Sequence, residues 1–335
     1  MVRARWLSGG FGIDLGTANT VVCHPRRGIV LNEPSVMVVM GNNGMHPVAV
    51  GTAARELIGR TAEGMVTIRP MRDGAVTDLE AARNFIVAIL SRVTRMPWER
   101  VRPRAVIGVP VGATALERRA LTEAAEEAGI GRANLIPEPI AGALGSGLDP
   151  LARRAQMVVD VGGGTAEVTG FCFGDILTSR SCRVAGDELT EALHRYIRNE
   201  HQIAIGELTA EDTKIRTPDD ANSSLIVEGR DAVTGRPRLV TLRAGEVTEA
   251  LRQTCEGIVE ILAACLDELP SQAIGDLMRD GLLAFGGGAL LHGFPKLLED
   301  AFGFRVRVAE RPLTCVAEGA AICMRRSEVQ KAFGA

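Results

Sequence analysis

Gly12-Ile13-Asp14-Leu15-Gly16-Thr17 near the start of the chain and Val159-Asp160-Val161-Gly162-Gly163-Gly164-Thr165 near its middle share one pattern. In each, an aspartate lies in an apolar strand pattern just ahead of a glycine turn. Beyond each turn the chain is again strand-like: Thr20-Val21-Val22-Cys23 is β-branched and apolar, and Glu167-Val168-Thr169-Gly170-Phe171 alternates. Each copy therefore reads as a hairpin with a glycine turn. An internal repeat of this kind implies two lobes built alike and facing one another across a cleft.

Working outward, Arg104 to Pro110 is a buried strand, and Thr114 with Glu117 forms a capping box that opens a helix running to Ala128, where Gly129 ends it. Alternation of strands and helices indicates α/β layering. A third glycine cluster, Gly286-Gly287-Gly288, follows the apolar run Leu282 to Phe285 and precedes a helical pattern from Leu290 to Phe302. The polar, irregular stretch from Thr217 to Pro237 suits a small surface subdomain.

Composition narrows the function. With 335 residues and 46% hydrophobic content the chain can bury two ordinary cores. A net charge of -3 argues against a nucleic-acid binder that relies on bulk positive charge. The seven cysteines form no C-x-x-C and read as small apolar residues of a reducing compartment; the histidines show no zinc-hydrolase spacing. No run approaches transmembrane length. The G-x-x-x-x-G-K-[ST] loop and the protein-kinase signatures are absent from the sequence.

Glycine turns bring successive backbone N–H groups close to an anion, so Gly16 to Asn19 and Gly162 to Thr165 are candidate phosphate cradles. Either one alone could be an ordinary hairpin turn; their repetition, each behind an aspartate, favours the phosphate reading. Asp14 and Asp160 are the candidate metal residues, hard carboxylates that would hold Mg²⁺ mostly through its waters. Their alternative is an aspartate bonding its own backbone.

Four stretches carry a family resemblance: Gly12-Ile13-Asp14-Leu15-Gly16-Thr17-Ala18-Asn19-Thr20, Leu31-Asn32-Glu33-Pro34-Ser35-Val36, Ile68-Arg69-Pro70-Met71-Arg72-Asp73-Gly74 and Leu313-Thr314-Cys315-Val316-Ala317. The chain resembles the MreB/Mbl bacterial actins nearly end to end. The resemblance implies an actin-like α/β fold of two lobes, each with a ribonuclease-H-like core, enclosing ATP or GTP with Mg²⁺. Lobe I would comprise residues 1–145 and 316–335, with an outer subdomain at about 33–69; lobe II would comprise 146–315, with its outer subdomain at about 187–246.

By the same resemblance Glu138 orients the water that attacks the γ-phosphate, Glu211 and Lys214 contact the ribose and adenine side, and Gly286, Gly287 and Gly288 approach the base and α-phosphate from the other lobe. On the residues alone, Glu138 could be a helix-start carboxylate beside Pro139 at N1, and Glu211 with Lys214 a solvated helix pair. Asp187 is expected to cap a helix. Trp6 with Arg3 and Arg5, and Met96 with Trp98 among further arginines, match the family's membrane-binding segments; the alternative is a tryptophan packed under a basic loop.

The implied activity is weak nucleoside triphosphatase turnover coupled to assembly into filaments of paired protofilaments. These lie on the inner face of the cell membrane and organise cell-wall synthesis with morphogenesis proteins. The chain departs from the family at Pro137 before Glu138, at Ala166 and at Phe285, and its polar stretch after Lys214 is short. A small-molecule kinase of the same superfamily and a non-hydrolysing filament scaffold are the alternatives. An Hsp70-type chaperone fits poorly, because no peptide-binding domain precedes Ala335.

Overall fold

The computed structural model describes residues 10–41, 45–95, 99 and 101–334. Two five-stranded sheets organise it, and their strands run in the same order and the same directions. In the first, Gly10–Leu15 is central: it pairs antiparallel with Asn19–His24, which pairs antiparallel with Gly28–Pro34 at the edge. On its other side it pairs parallel with Arg104–Val109, which pairs parallel with Arg132–Pro137. In the second sheet Gln156–Val161 holds the central place, with Ala166–Cys172 and Asp175–Cys182 on the antiparallel side and Leu282–Phe285 and Val306–Val308 on the parallel side.

The hairpins need only tight turns, whereas each parallel pair needs a crossover. Helix Ala115–Glu127 supplies one in the first lobe and helix Phe294–Phe302 one in the second. Thr114 caps the former through both bonds of its capping box: its hydroxyl accepts the Glu117 N–H at 3.2 Å, and its own N–H donates to Glu117 Oε2 at 2.7 Å. Gly129, at φ 103°, ends that helix.

The helix after the third glycine cluster starts later than its sequence pattern suggests. Gly287–Leu290 is a single 3₁₀ turn, and Gly293 in the left-handed region separates it from Phe294–Phe302. Asp187 is not a cap either. Helix Gly186–His201 begins one residue before it, with Ala185 at the N-cap.

Each lobe has its own apolar core, and a third buried cluster joins them. The join is made by helices Glu138–Gly145 and Cys315–Cys323. A Cβ on Gly319 would overlap the Ala141 carbonyl oxygen, and one on Gly145 the Cys315 carbonyl oxygen, so only glycine lets these backbones approach so closely. The Phe285 ring lies against Gly142 in this joint, so that departure from the family pattern fills the core.

Two smaller three-stranded sheets project outward: Met37–Met40, Pro47–Val50 and Met65–Ile68 from the first lobe, and Ile203–Ala204, Ser224–Asp231 and Pro237–Arg243 from the second. No helix among the described residues is long and apolar enough to cross a membrane.

Candidate functional site

The two repeated turns close in the same way. Gly16 N–H donates to the Asn19 carbonyl at 3.1 Å, and Gly162 N–H to the Thr165 carbonyl at 2.9 Å. They also face each other at contact distance. A Cβ on Gly163 would lie 2.8 Å from the Ala18 Cβ, and one on Gly164 would lie 2.8 Å from Thr17 Oγ1. Two neighbours hold the first turn in place. Ser35 donates its N–H to the Ala18 carbonyl at 2.9 Å and shares a buried 2.8 Å bond with the Thr20 hydroxyl. Gly74 N–H donates to Thr17 Oγ1 at 3.2 Å from the Asp73-Gly74 hairpin turn, in which both residues have positive φ.

Four carboxylates converge behind these turns: Asp14, Glu138, Asp160 and Glu167. Asp14 and Asp160 are next to last in the two central strands, Glu138 opens the joint helix, and Glu167 stands directly opposite Asp160 in the neighbouring strand. Glu138 occupies the first helical position, which moves Pro139 to the second. Burial pushes Asp14 and Glu167 up to about 7. Burial, then repulsion from the other carboxylates, raises Glu138 and Asp160 well above the usual range.

Carboxylates crowded together and held above their usual range by burial and mutual repulsion fit a site that a cation would relieve. Among the described residues, however, no three His, Cys, Asp or Glu side chains stand close enough to ligate one directly. That arrangement fits Mg²⁺, which keeps several waters and takes other ligands from phosphate oxygens.

Glu211 and Lys214 lie on helix Glu207–Arg216. Lys214 is buried rather than solvated: its Nζ donates to the Gly186 carbonyl at 2.7 Å and to Thr190 Oγ1 at 2.8 Å, and pairs with Glu211 at 2.7 Å. Gly186 in turn donates its N–H to the Gly162 carbonyl at 3.0 Å, tying this network to the second turn.

Gly286, at φ 82°, packs so closely on the second central strand that a Cβ there would lie 2.7 Å from Asp160 Oδ1. A Cβ on Gly288 would strike the Val161 side chain. Just beyond, a cavity of about 220 Å³ opens between Lys214, Thr217, Leu291 and His292 and the helix residues Thr248 and Cys255. At the cleft mouth Arg55 pairs with Asp212 at 3.4 Å and Arg69 pairs with Glu207, joining the outer subdomain of the first lobe to the helix that carries Glu211 and Lys214.

The structure thus brings together Asp14, Gly16, Thr17, Ala18, Asn19, Glu138, Asp160, Gly162, Gly163, Gly164 and Thr165, with Gly286 beside Asp160 and Gly288 beside Val161; this third glycine cluster follows a strand of the second sheet and so comes from the same lobe as Glu211 and Lys214, not from the other one. Trp6, Met96 and Trp98 lie outside the described residues. Sequence reasoning missed Glu167 as part of the carboxylate cluster. Its signal was an acid at a position of the second hairpin that the strand buries.

Two like-built lobes, a helical joint and a pair of acidic glycine turns meeting at their interface define an actin-like protein. The chain belongs to the MreB/Mbl family of bacterial actins: the family model described as MreB/Mbl protein matches residues 8–332. It is 40% identical over 319 residues to the cell shape-determining protein MreB of Escherichia coli K12, covering 93% of this chain and 92% of that one. To the cell shape-determining protein Mbl of Bacillus subtilis it is 38% identical over 317 residues, covering 93% and 95%. Among solved structures, MreB 5 of Spiroplasma citri bound to AMPPNP superposes with a TM-score of 0.90 at 32% identity, covering 97% of this chain and 99% of that one. A MamK double helical filament shares the fold, with a TM-score of 0.78 at 22% identity, covering 95% and 98%.

Proposed function

We propose that this chain binds ATP or GTP with Mg²⁺ between its lobes, hydrolyses it slowly and polymerises into paired, membrane-associated filaments that organise cell-wall synthesis and cell shape. The observation that carries the reading is the contact between the two glycine turns in front of four clustered carboxylates, of which Asp160 and Glu167 are buried and Asp14 and Glu138 partly so. The AMPPNP and ADP bound to the Spiroplasma citri relatives support it. In this reading lobe I ends near residue 145 and resumes near 316. The turn amides of Gly16 to Asn19 and Gly162 to Thr165 hold the phosphates. Lys214 and Glu211 face the ribose and base, with Gly286 to Gly288 opposite.

Asp14 and Asp160 would hold a hydrated Mg²⁺, which would supply positive charge against the phosphates. Glu138 orients the attacking water. The water oxygen forms a bond to the γ-phosphorus as the bridging bond to the β-phosphate breaks. The products are the nucleoside diphosphate and inorganic phosphate, and the water proton leaves by way of the Glu138 carboxylate.

The membrane reading, made on Trp6, Met96 and Trp98, draws support from the far end of the first sheet. Arg104 and Arg132 stand opposite each other on adjacent strands there, and Gly10, the first described residue, pairs with Arg104. Exposed Arg26 and Arg102 lie in the flanking loops, and Arg325 bonds the Pro25 carbonyl at 3.2 Å. Each such arginine adds about 1 kcal/mol on an anionic leaflet, so a filament multiplies weak single contacts into firm attachment.

Sedimentation with ATP or GTP, Mg²⁺ and anionic liposomes tests the proposal, with phosphate release from wild type and Glu138→Ala in parallel. Nucleotide-dependent pelleting on lipid and slower release from the variant are expected. A protein that stays monomeric under every nucleotide, salt and lipid condition is not a filament former.

A further inference from the structure

Of the four clustered carboxylates, Glu167 alone has no part in the proposed hydrolysis, and its bonds reach across the cleft. It is 1% exposed, in the second lobe, directly opposite Asp160. Its Oε2 accepts the Val111 N–H at 3.2 Å and its Oε1 the Gly112 N–H at 3.5 Å. Those amides belong to the first lobe, just past the end of strand Arg104–Val109.

The loop is held from both sides. Arg118 donates to the carbonyls of Val111 and Ala113, each at 3.1 Å, while Glu167 takes the amides. Gly112 lies flush against the second lobe, where a Cβ would come 2.7 Å from Ser181 Oγ. In the other direction the same strand supports the water-orienting glutamate: a Cβ on Gly108 would lie 3.1 Å from Glu138 Cγ. A continuous path therefore runs from the Glu167 carboxylate through the Val111 and Gly112 amides and the strand end to the side chain of Glu138.

We propose that Glu167 is a positioning residue for hydrolysis: it clasps the Val111 and Gly112 amides across the cleft, so that Glu138 is set in place only when the lobes are closed. The inference rests on the proposed role of Glu138. A buried carboxylate taking two backbone N–H groups makes charge-assisted bonds that a glutamine cannot reproduce, because its NH₂ would face one of the two donors.

The experiment compares Glu167→Gln in two backgrounds, full-length wild type and Glu138→Ala, reading MgATP affinity and phosphate release under single turnover. In the wild-type background affinity should stay within about threefold while the rate falls at least about tenfold, a loss in kcat rather than KM. In the Glu138→Ala background the same change should cost less than about twofold, since a residue that acts through Glu138 has nothing left to position.

Equal losses in both backgrounds, or full-rate release from Glu167→Gln beside a slow Glu138→Ala, would overturn the clasp alone. Full-rate release from Glu138→Ala overturns the hydrolysis reading and the clasp with it. Amide hydrogen exchange on the wild-type protein gives an answer that needs no variant. Val111 and Gly112 should be protected at least about tenfold more with AMPPNP than without nucleotide, and unchanged exchange counts against the proposal.

Discussion

Asp14→Asn, studied without nucleotide and in a chelator, should make the protein more stable, and by an amount that depends on pH. Burial pushes Asp14 from 3.8 up to about 7. The folded chain then binds the proton more tightly than the unfolded chain, so folding is favoured at low pH and penalised as pH climbs through that window. At about 1.4 kcal/mol per pH unit the penalty is about 1.6 kcal/mol at pH 5 and reaches a ceiling of about 4 kcal/mol above pH 7. The ceiling is an upper figure, because Asp14 keeps some contact with solvent at the cleft. Asparagine has nearly the same shape and cannot ionise, so it escapes the penalty. Urea unfolding followed by circular dichroism should therefore place the variant above wild type by up to about 4 kcal/mol at pH 8 and by less than about 2 kcal/mol at pH 5. Adding MgATP at a hundredfold excess over its Kd should return about 2.7 kcal/mol to wild type and much less to the variant. A gap between the two proteins that is the same at both pH values would refute this reasoning.

Lys214→Met should cost about 1–3 kcal/mol in urea unfolding, since it removes the cation beside Glu211 and leaves the single Thr190 hydroxyl proton to serve both Glu211 and the Gly186 carbonyl, and should weaken ATP binding at least about tenfold by calorimetry. Gly319→Ala should cost about 3 kcal/mol or more, because its Cβ meets the Ala141 backbone and no side-chain rotation relieves that; a melting temperature equal to wild type would contradict the packing described for the joint. Arg55→Ala with Arg69→Ala should change global stability by no more than about 1 kcal/mol per pair, these ion pairs being exposed, yet should speed release of a fluorescent nucleotide at low salt. Raising the ionic strength should shrink that difference in release rate.

Much of the fold was legible because its determinants are local. The repeated aspartate and glycine turns, the capping box at Thr114 and Glu117 and the buried strand after Pro103 are each written in a few consecutive residues. What was not legible depends on residues far apart in the chain. The start of the helix at Phe294 is set by a left-handed Gly293 that a hydrophobic pattern does not register. Phe285 reads as an oddity beside the nucleotide until the structure packs its ring against Gly142. Lys214 reads as half of a solvated pair until Gly186 and Thr190 come up beside it. Glu167 looks like one more alternating strand residue, and its significance appears only when the loop at Val111 arrives from the other lobe.

The two halves match at their turns and aspartates and diverge beside them. The two central hairpins place Asp14 opposite Val21 and Asp160 opposite Glu167, so equivalent positions hold an aliphatic side chain in one lobe and a carboxylate in the other. Val21 packs against the joint helix with Ala317 and Ala321, which a buried charge could not do. Glu167 faces the opposite lobe and finds two backbone donors there. The fifth strand shows the same divergence: Arg132–Pro137 leads directly into Glu138 and the joint helix, whereas Val306–Val308 leads into the loop whose Pro312 carbonyl receives the Gly286 N–H. On the proposed function the repeated scaffold supplies two matching turns for the phosphates, and the positions where one copy departs from the other set the Glu138 side apart from the base side. Restoring the symmetry at position 167 with an aliphatic residue should accordingly spare the turns and remove the link between lobe closure and Glu138.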